Sequence, residues 1–312
     1  MPAIDLIRQL VDLHRAQIAG VVDVRGVGRL KRIYADAREE LAHKLRRLQV
    51  AGKGDTFTAT HLRAVMAQVT QTLRDFEKPL EDHMVSTGRL AATVGPRQVA
   101  NMIGSVEEHL GKMTPVIQAA QVAVVRGVYP SIAPTLLDRF KRSSKLYGPQ
   151  AMLSIRTGLA HSMIQGETVD EAVDRLVDSN PRRGLFEGQR WRAERIVRTE
   201  MSYATNASTQ RAMSEFRATA VPKLLKRLVA TRDVREGDDS KELDGQTVPV
   251  DQPFIWAEKN ARGEVVKTIT YMHPPNRPHD REIMIPWQGA WGNPATVAAA
   301  GDVRPTTSGL GE

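Results

Sequence analysis

His273, His279, Asp280 and Glu282 carry imidazole nitrogens and carboxylate oxygens, the donor types that hold transition metals. Their spacing fits no standard zinc signature, and Pro274, Pro275 and Pro278 impose an extended backbone from which side chains need not converge. A nuclease site built on His273, Asn276 and His279 would need a histidine to activate water and a metal to hold phosphate. Those roles normally come from separate strand and helix elements rather than one proline-rich loop. The third candidate is Arg198-Thr199-Glu200, with Arg195 and Arg192 one and two turns earlier. Arg198 and Glu200 are two apart, so on a helix they do not face one another around a nucleotide, and Trp191 and Ile196 are expected to turn inward. No GxxxxGK[ST] loop and no GxSxG elbow occurs. The expectation is therefore binding and assembly rather than catalysis, with no catalytic residue, no metal and no cofactor.

Composition agrees with that expectation. The chain has 312 residues, 41% hydrophobic and 26% charged, with only 5% aromatic. Its core must therefore rest on Leu, Val, Ile, Ala and Met, a helical mixture. A net charge of +8 favours a polyanionic neighbour, either nucleic acid or an acidic protein face. With no cysteine there is no disulfide, thiolate nucleophile or Cys-ligated zinc. The first residues lack the pattern of a signal peptide, and no apolar stretch is expected to reach bilayer length, so a soluble chain is predicted.

The elements that must position these residues begin with a stripe of Ile4, Ile7, Val11, His14 and Ile18, one face of a helix ending near Gly20. Leu30, Tyr34, Ala37, Leu41, Leu45 and Leu48 form a second stripe, stopped by Gly52-Lys53-Gly54. Leu62 to Met84 continues the helical period, with Pro79 expected to kink or interrupt it. Helices are predicted near 97–110, 116–125 and 150–165, a capping box at Thr168 to Glu171, and a basic helix from Gly188 to about Phe216. After Pro222 the character changes. Leu228 to Thr231, Phe254 to Trp256 and Val265 to Tyr271 read as strands, the last two joined by a turn at Asn260 to Gly263. The predicted fold class is α+β: a long, mostly helical N-terminal region (1–180), a small module with a basic helix and a short antiparallel sheet (185–288), and a flexible tail (289–312).

From Gln189 to Trp287 the order of motifs resembles the Mu F-like minor head protein family of tailed bacteriophages, the phage head morphogenesis domain. The residues carrying the resemblance are Arg195-Ile196-Val197-Arg198-Thr199-Glu200, then Leu228-Val229-Ala230-Thr231-Arg232-Asp233-Val234-Arg235. Leu243-Asp244-Gly245-Gln246, Pro274-Pro275, Pro278-His279-Asp280-Arg281-Glu282 and Pro286-Trp287 complete the run. Asp280 and Glu282 stand at the family's two cysteine positions, and Ser240 stands where a His or Cys often precedes Leu-Asp-Gly. The thiols on which a metal or crosslink in relatives would depend are therefore absent from those positions.

The resemblance implies a minor capsid protein present in the virion, inside the head, and in the host cytoplasm during assembly. Its implied partners are the portal protein and the major capsid or scaffolding protein, with no membrane during assembly. A capsid-carried effector enzyme is the rival reading, although few residues follow Trp287. A free DNA-binding protein is the third. Glu200, Asp233, Arg235, Asp244, Gly245, Pro275 and Arg281 are expected to be structural. Asp244-Gly245 suits a tight turn in which Asp bonds its own downstream backbone, and Arg281 suits a bidentate tie within a network with Asp233 and Arg235. Packaged double-stranded DNA, or the portal, is expected to meet Arg182, Arg183, Arg190, Arg192, Arg195, Arg198, Lys223, Lys226 and Arg227, through phosphates and without sequence preference in the DNA case.

Overall fold

A computed structural model describes residues 2–231, 238–260, 262–277 and 280–292. The fold is α+β, with long helices followed by two small antiparallel sheets. The helices are α1 (Ala3–Ala19), α2 (Gly28–Ala51), α3 (Ala59–His109), α4 (Pro115–Lys145), α5 (Tyr147–Ile164), α6 (Val169–Val177) and α7 (Arg190–Thr219). Then come β1 (Leu225–Val229), α8 (Asp238–Leu243), β2 (Thr247–Pro249), β3 (Phe254–Lys259), β4 (Val265–Tyr271) and β5 (Ile283–Trp287).

The chain divides into two compact units that do not follow a single cut near residues 180–185. One comprises Met1–Ala19, Arg89–Ala133 and Ser202–Glu312; the other comprises Gly20–Gly88 and Pro134–Met201. The segment that carries the family resemblance thus contributes to both.

The first unit has a core in which Ile7, Leu10 and Val11 of α1, Val99, Ile103 and Val106 of α3, and Ile117 and Val124 of α4 are buried with Met213 and Phe216 of α7. Leu228, Ile283, Ile285 and Trp287 of the sheet belong to the same cluster. The three-stranded sheet has the order β2-β1-β5, with Lys226 opposite Val248 and Pro286, and Arg227 opposite Thr247 and Ile285. β5 lies at the sheet edge, where Pro286 costs no ladder hydrogen bond to a further strand. β3 and β4 pair separately as a hairpin, in which Asn260 N–H reaches Glu264 O at 2.9 Å and Gly263 takes φ +79. Gly289–Trp291, where the flexible tail was expected to begin, form a short 3-10 turn instead. Trp291 is buried, and its indole donates to Glu107 Oε1 at 2.7 Å; residues 293–312 lie outside the described ones.

The second unit packs around four rings. Tyr34 lies against Phe76 (5.3 Å), Tyr147 (6.2 Å) and Phe186 (4.9 Å), and its hydroxyl meets the Tyr147 hydroxyl at 2.5 Å and donates to Phe186 O at 2.7 Å. Burial of both hydroxyls is satisfied within the cluster, as a dry core requires. At the start of α6, Thr168 accepts from Glu171 N–H while the Glu171 carboxylate accepts from Thr168 N–H, the predicted capping box.

Three sequence expectations fail here for local reasons. The helix expected to end near Gly20 instead passes into a π-helical stretch, Gly20–Val27, and on into α2. A widened turn frees carbonyls; the Gly26 carbonyl accepts from His83 Nε2 at 2.7 Å, which fixes the hydrogen on that nitrogen. Of the kink or interruption expected at Pro79, the interruption does not occur, because α3 runs 51 residues through it. Pro96, Pro130 and Pro134 also lie within helices, where buried apolar faces outweigh a lost hydrogen bond. Finally, Pro115–Ile164 contains an 18-residue window of mean hydropathy 1.2, long and apolar enough to cross a membrane by length and composition alone. From Val116 to Ile132, Arg126 is the one charged residue among the Val, Ile, Ala, Gly and Gln residues. Ile117, Ala120, Val124 and Val128 of this stretch face the first unit's core, while Val116, Val122 and Val125 are exposed.

Candidate functional site

Two groups of side chains concentrate charge, and they differ in kind. The basic set is not one surface. Arg182 and Arg183 are exposed in the turn after α6, where Arg182 N–H bonds Asn180 Oδ1 at 2.9 Å. Arg190 pairs with Glu187 and with Glu194 (3.0 Å), and Arg198 pairs with Asp23. Arg192 donates to Gln189 Oε1 (2.9 Å) and Ser154 Oγ (3.2 Å). Arg192 and Arg195 both lie 5.0 Å from the Trp191 ring, which is 49% exposed rather than turned inward. Two arginines over one indole keep the ring at the surface through cation–π attraction.

Lys226 and Arg227, expected to meet DNA or the portal, are instead both buried, and neither can meet a phosphate. Their strand, β1, is paired along both edges, and because consecutive residues point to opposite faces, burial of both side chains means that both faces are covered here. Lys226 Nζ donates to Gln210 Oε1 (3.0 Å) and Met272 O (2.6 Å) and lies 5.0 Å from the Phe254 ring. Burial pulls its amine down to about 8. Arg227 lies over the Trp287 ring at 5.4 Å and beside Gly245. The φ of +88 at Gly245 calls for glycine, and a Cβ there would also press on the movable end of Arg227, 2.6 Å away. Lys223 remains exposed at the turn before β1.

The second group is acidic and internal, within the first unit. Four segments meet: Asp239 and Ser240 of α8, Tyr271 at the end of β4, Asn276 and Arg277 of the proline-rich loop, and Asp280 and Glu282 leading into β5. Asp280 Oδ2 accepts from Asn276 N–H (3.0 Å) and Oδ1 from Glu282 N–H (3.1 Å). Tyr271 donates its hydroxyl to Glu282 Oε2 at 2.9 Å, while Glu282 Oε1 has no hydrogen-bond partner. Arg277 pairs with Asp239 and donates to Ser240 Oγ at 2.8 Å. Asn206 of α7 donates to the Glu282 carbonyl at 3.2 Å.

Only 5% of Asp280 and 2% of Glu282 is exposed. Burial, then the neighbouring Asp280 charge, pushes Glu282 up to about 7, against hydrogen bonds from Ser240 and Tyr271. Burial raises Asp280 as well, against the two backbone N–H groups it accepts. Burial also acts upward on Asp239, but the Arg277 hydrogen bond and charge outweigh it and hold that carboxyl low. Two adjacent buried carboxyls of this kind keep a proton near neutral pH, because both cannot ionise cheaply. Shut from solvent, the pair acts as a tie between segments and offers no open face to a substrate.

Among the described residues, no three His, Asp or Glu side chains form a group able to hold a metal. His273 instead stands edge-on to Tyr203 at 5.0 Å, and His279 lies outside the described residues. Glu200 is buried on α7 and receives a side-on pair of bonds from Arg139 of α4 (2.5 and 3.1 Å) and one from Ser143 (3.0 Å). Asp244 Oδ1 accepts from Ala230 N–H at 3.0 Å, upstream of the turn rather than after it, fastening the Leu-Asp-Gly turn to the end of β1. The Pro274–Pro275 bond is cis. Arg281 is exposed, and its carbonyl accepts from Thr231 Oγ1 at 3.1 Å. The expected network with Asp233 and Arg235 lies outside the described residues. The buried tie is made by Arg277, which sequence reasoning missed, as it missed Arg139 and Tyr271.

Comparison with family models, with curated proteins and with solved structures finds no match to this chain.

Proposed function

We propose that the chain is a minor capsid and head morphogenesis protein of a tailed phage, working at the portal or the inner capsid surface. The observation that carries the reading is the ordered run of family-like motifs together with the meeting of its separated parts. Ser240, Asp280 and Glu282, the three positions at which this sequence departs from the family's His and Cys pattern, fall in one buried cluster. The Asp244-Gly245 turn is fastened to the strand that the resemblance aligns with it. The solvent-shut carboxyls support an assembly role over the effector-enzyme alternative. Contact with packaged DNA, as part of this role, rests on Arg182, Arg183 and Lys223, since Lys226 and Arg227 are interior.

The test is to assemble heads from the portal, scaffolding and major capsid proteins of the same phage genome, with and without this chain, and to quantify it in purified particles. A small fixed number of copies retained in the particle is the expected result. Heads that never retain the chain would overturn the reading.

A further inference from the structure

We propose that an open trough between α3 and α5, in the second unit, docks an acidic amphipathic helix of a partner protein. The trough has a volume of about 480 Å³ and is lined by Leu62, Met66 and Thr70 of α3 and by Pro149, Met152 and Leu153 of α5, with Arg63 and Arg156 also on its wall. Its shape is that of a groove rather than a closed chamber, and Leu153 is 67% exposed beside it. Spacing of three and four residues on both helices produces the groove, because such positions stack along one helix face. Thr70 spends its hydroxyl on Met66 O (2.7 Å) and Met152 Sδ (3.2 Å), so the floor presents little but carbon and sulfur. Methionines adapt their shape to an incoming side chain.

The charges decide the occupant. Neither Arg63 nor Arg156 has a carboxylate within ion-pair distance among the described residues, whereas Arg38, Arg139, Arg190 and Arg198 of the same unit each have one. Arg63 makes only long contacts to its own helix, at 3.3 and 3.5 Å. No acidic residue lines the trough. An apolar floor flanked by two unneutralised guanidinium groups complements a helix whose leucines are bordered by glutamates, the helix-in-groove mode. This docking site does not depend on the head-protein reading, and its test uses the isolated full chain.

The probe is a fluorescein-labelled, 18-residue helical peptide with leucines at i, i+3, i+4 and i+7 bordered by glutamates, compared by anisotropy with the same peptide carrying lysines for glutamates. The acidic peptide is expected to bind at least tenfold more tightly. Arg63→Glu with Arg156→Glu should invert that preference, and Leu153→Asp should weaken binding about tenfold, with circular dichroism melts verifying the fold of each variant. Arg46→Glu with Arg47→Glu, on the exposed side of α2, should leave binding unchanged. Equal binding of the two peptides, or no binding of either at millimolar concentration, sinks the proposal. So does an equal loss in the α2 variant, which would mark general attraction to a basic chain. Laurate that saturates the trough while the peptide does not bind would assign it to a small amphiphile instead.

Discussion

His14 belongs to the buried face of α1 with Ile7, Leu10 and Val11, is fully buried, and has no hydrogen-bond partner on either ring nitrogen. Burial, with a smaller push from the Arg15 charge, lowers its pKa to about 3. A base with a depressed folded value binds fewer protons in the native state than in the unfolded one. Its effect is therefore level above the unfolded pKa of about 6.5, and stability falls as pH drops from there towards 3. With those two values the loss between pH 7 and pH 5 is about 2 kcal/mol, rising to about 3 kcal/mol at pH 4. Glu282 acts in the opposite direction over part of this range, so the informative quantity is a difference between proteins rather than one profile. His14→Leu removes the titrating ring and two unpaired polar atoms. It is expected to be at least as stable as the wild-type chain at pH 7 and to pull ahead by a further ~2 kcal/mol at pH 5. Urea unfolding of both proteins at the two pH values, followed by circular dichroism, measures this. Parallel losses in the two proteins would refute the argument, since they would mean that His14 has a charged or hydrated native state.

Glu282 is an acid with a folded value raised from 4.5 to about 7, so its contribution is full below pH 4.5 and is lost as pH rises through 7. Glu282→Gln should match the wild-type melting temperature near pH 5 and exceed it at pH 8, by an amount equivalent to about 2–3 kcal/mol; equal destabilisation at both would show that the native carboxyl is charged. Arg139→Met should cost about 2–3 kcal/mol in urea, less than a fully buried pair because Arg139 is one-third exposed, and Arg139→Lys should recover only part because an ammonium cannot reproduce the fork. In titrations against random-sequence duplex DNA, each of Arg182→Ala, Arg183→Ala and Lys223→Ala should reduce the log–log salt slope by about one, whereas Lys226→Met should not change it. A reduced slope for Lys226→Met would place that amine at the surface.

What was legible in the sequence was periodicity and local hydrogen-bonding chemistry. The stripes from Ile7 to His14 and from Leu30 to Leu45 are buried faces, because an apolar residue every three or four positions has no other economical place. The Thr168–Glu171 box needed only side chains three apart. The hairpin between Phe254 and Tyr271 followed from β-branched runs around a turn. Helix ends were harder to read, since Pro79 and Gly20 signal a break locally while packing over many turns decides otherwise. The burial of Lys226 and Arg227 left a trace, a basic pair enclosed by Leu224-Leu225 and Leu228-Val229, but their partners Gln210, Met272 and Trp287 are distant in sequence. The same distance hid the bonds from Arg139 to Glu200 and from Arg277 to Asp239.

The acidic cluster shows what those distant partners accomplish. A chain without cysteine must hold the loop after β4 to α8 and β5 by bonds other than disulfides. Here Arg277 clamps Asp239 and Ser240, Asp280 gathers two backbone N–H groups of its own loop, and Glu282 receives the Tyr271 hydroxyl. Every one of these bonds runs between groups that water would otherwise solvate, so each adds little on its own. Their value lies in matching most of the buried polar atoms, with Glu282 Oε1, Asn276 Oδ1 and Asn206 Oδ1 left without a partner. A proton on Glu282 Oε1 removes the cost of a buried charge beside Asp280. The tie responds to pH, tightest where Glu282 stays protonated and looser as alkali removes the shared proton.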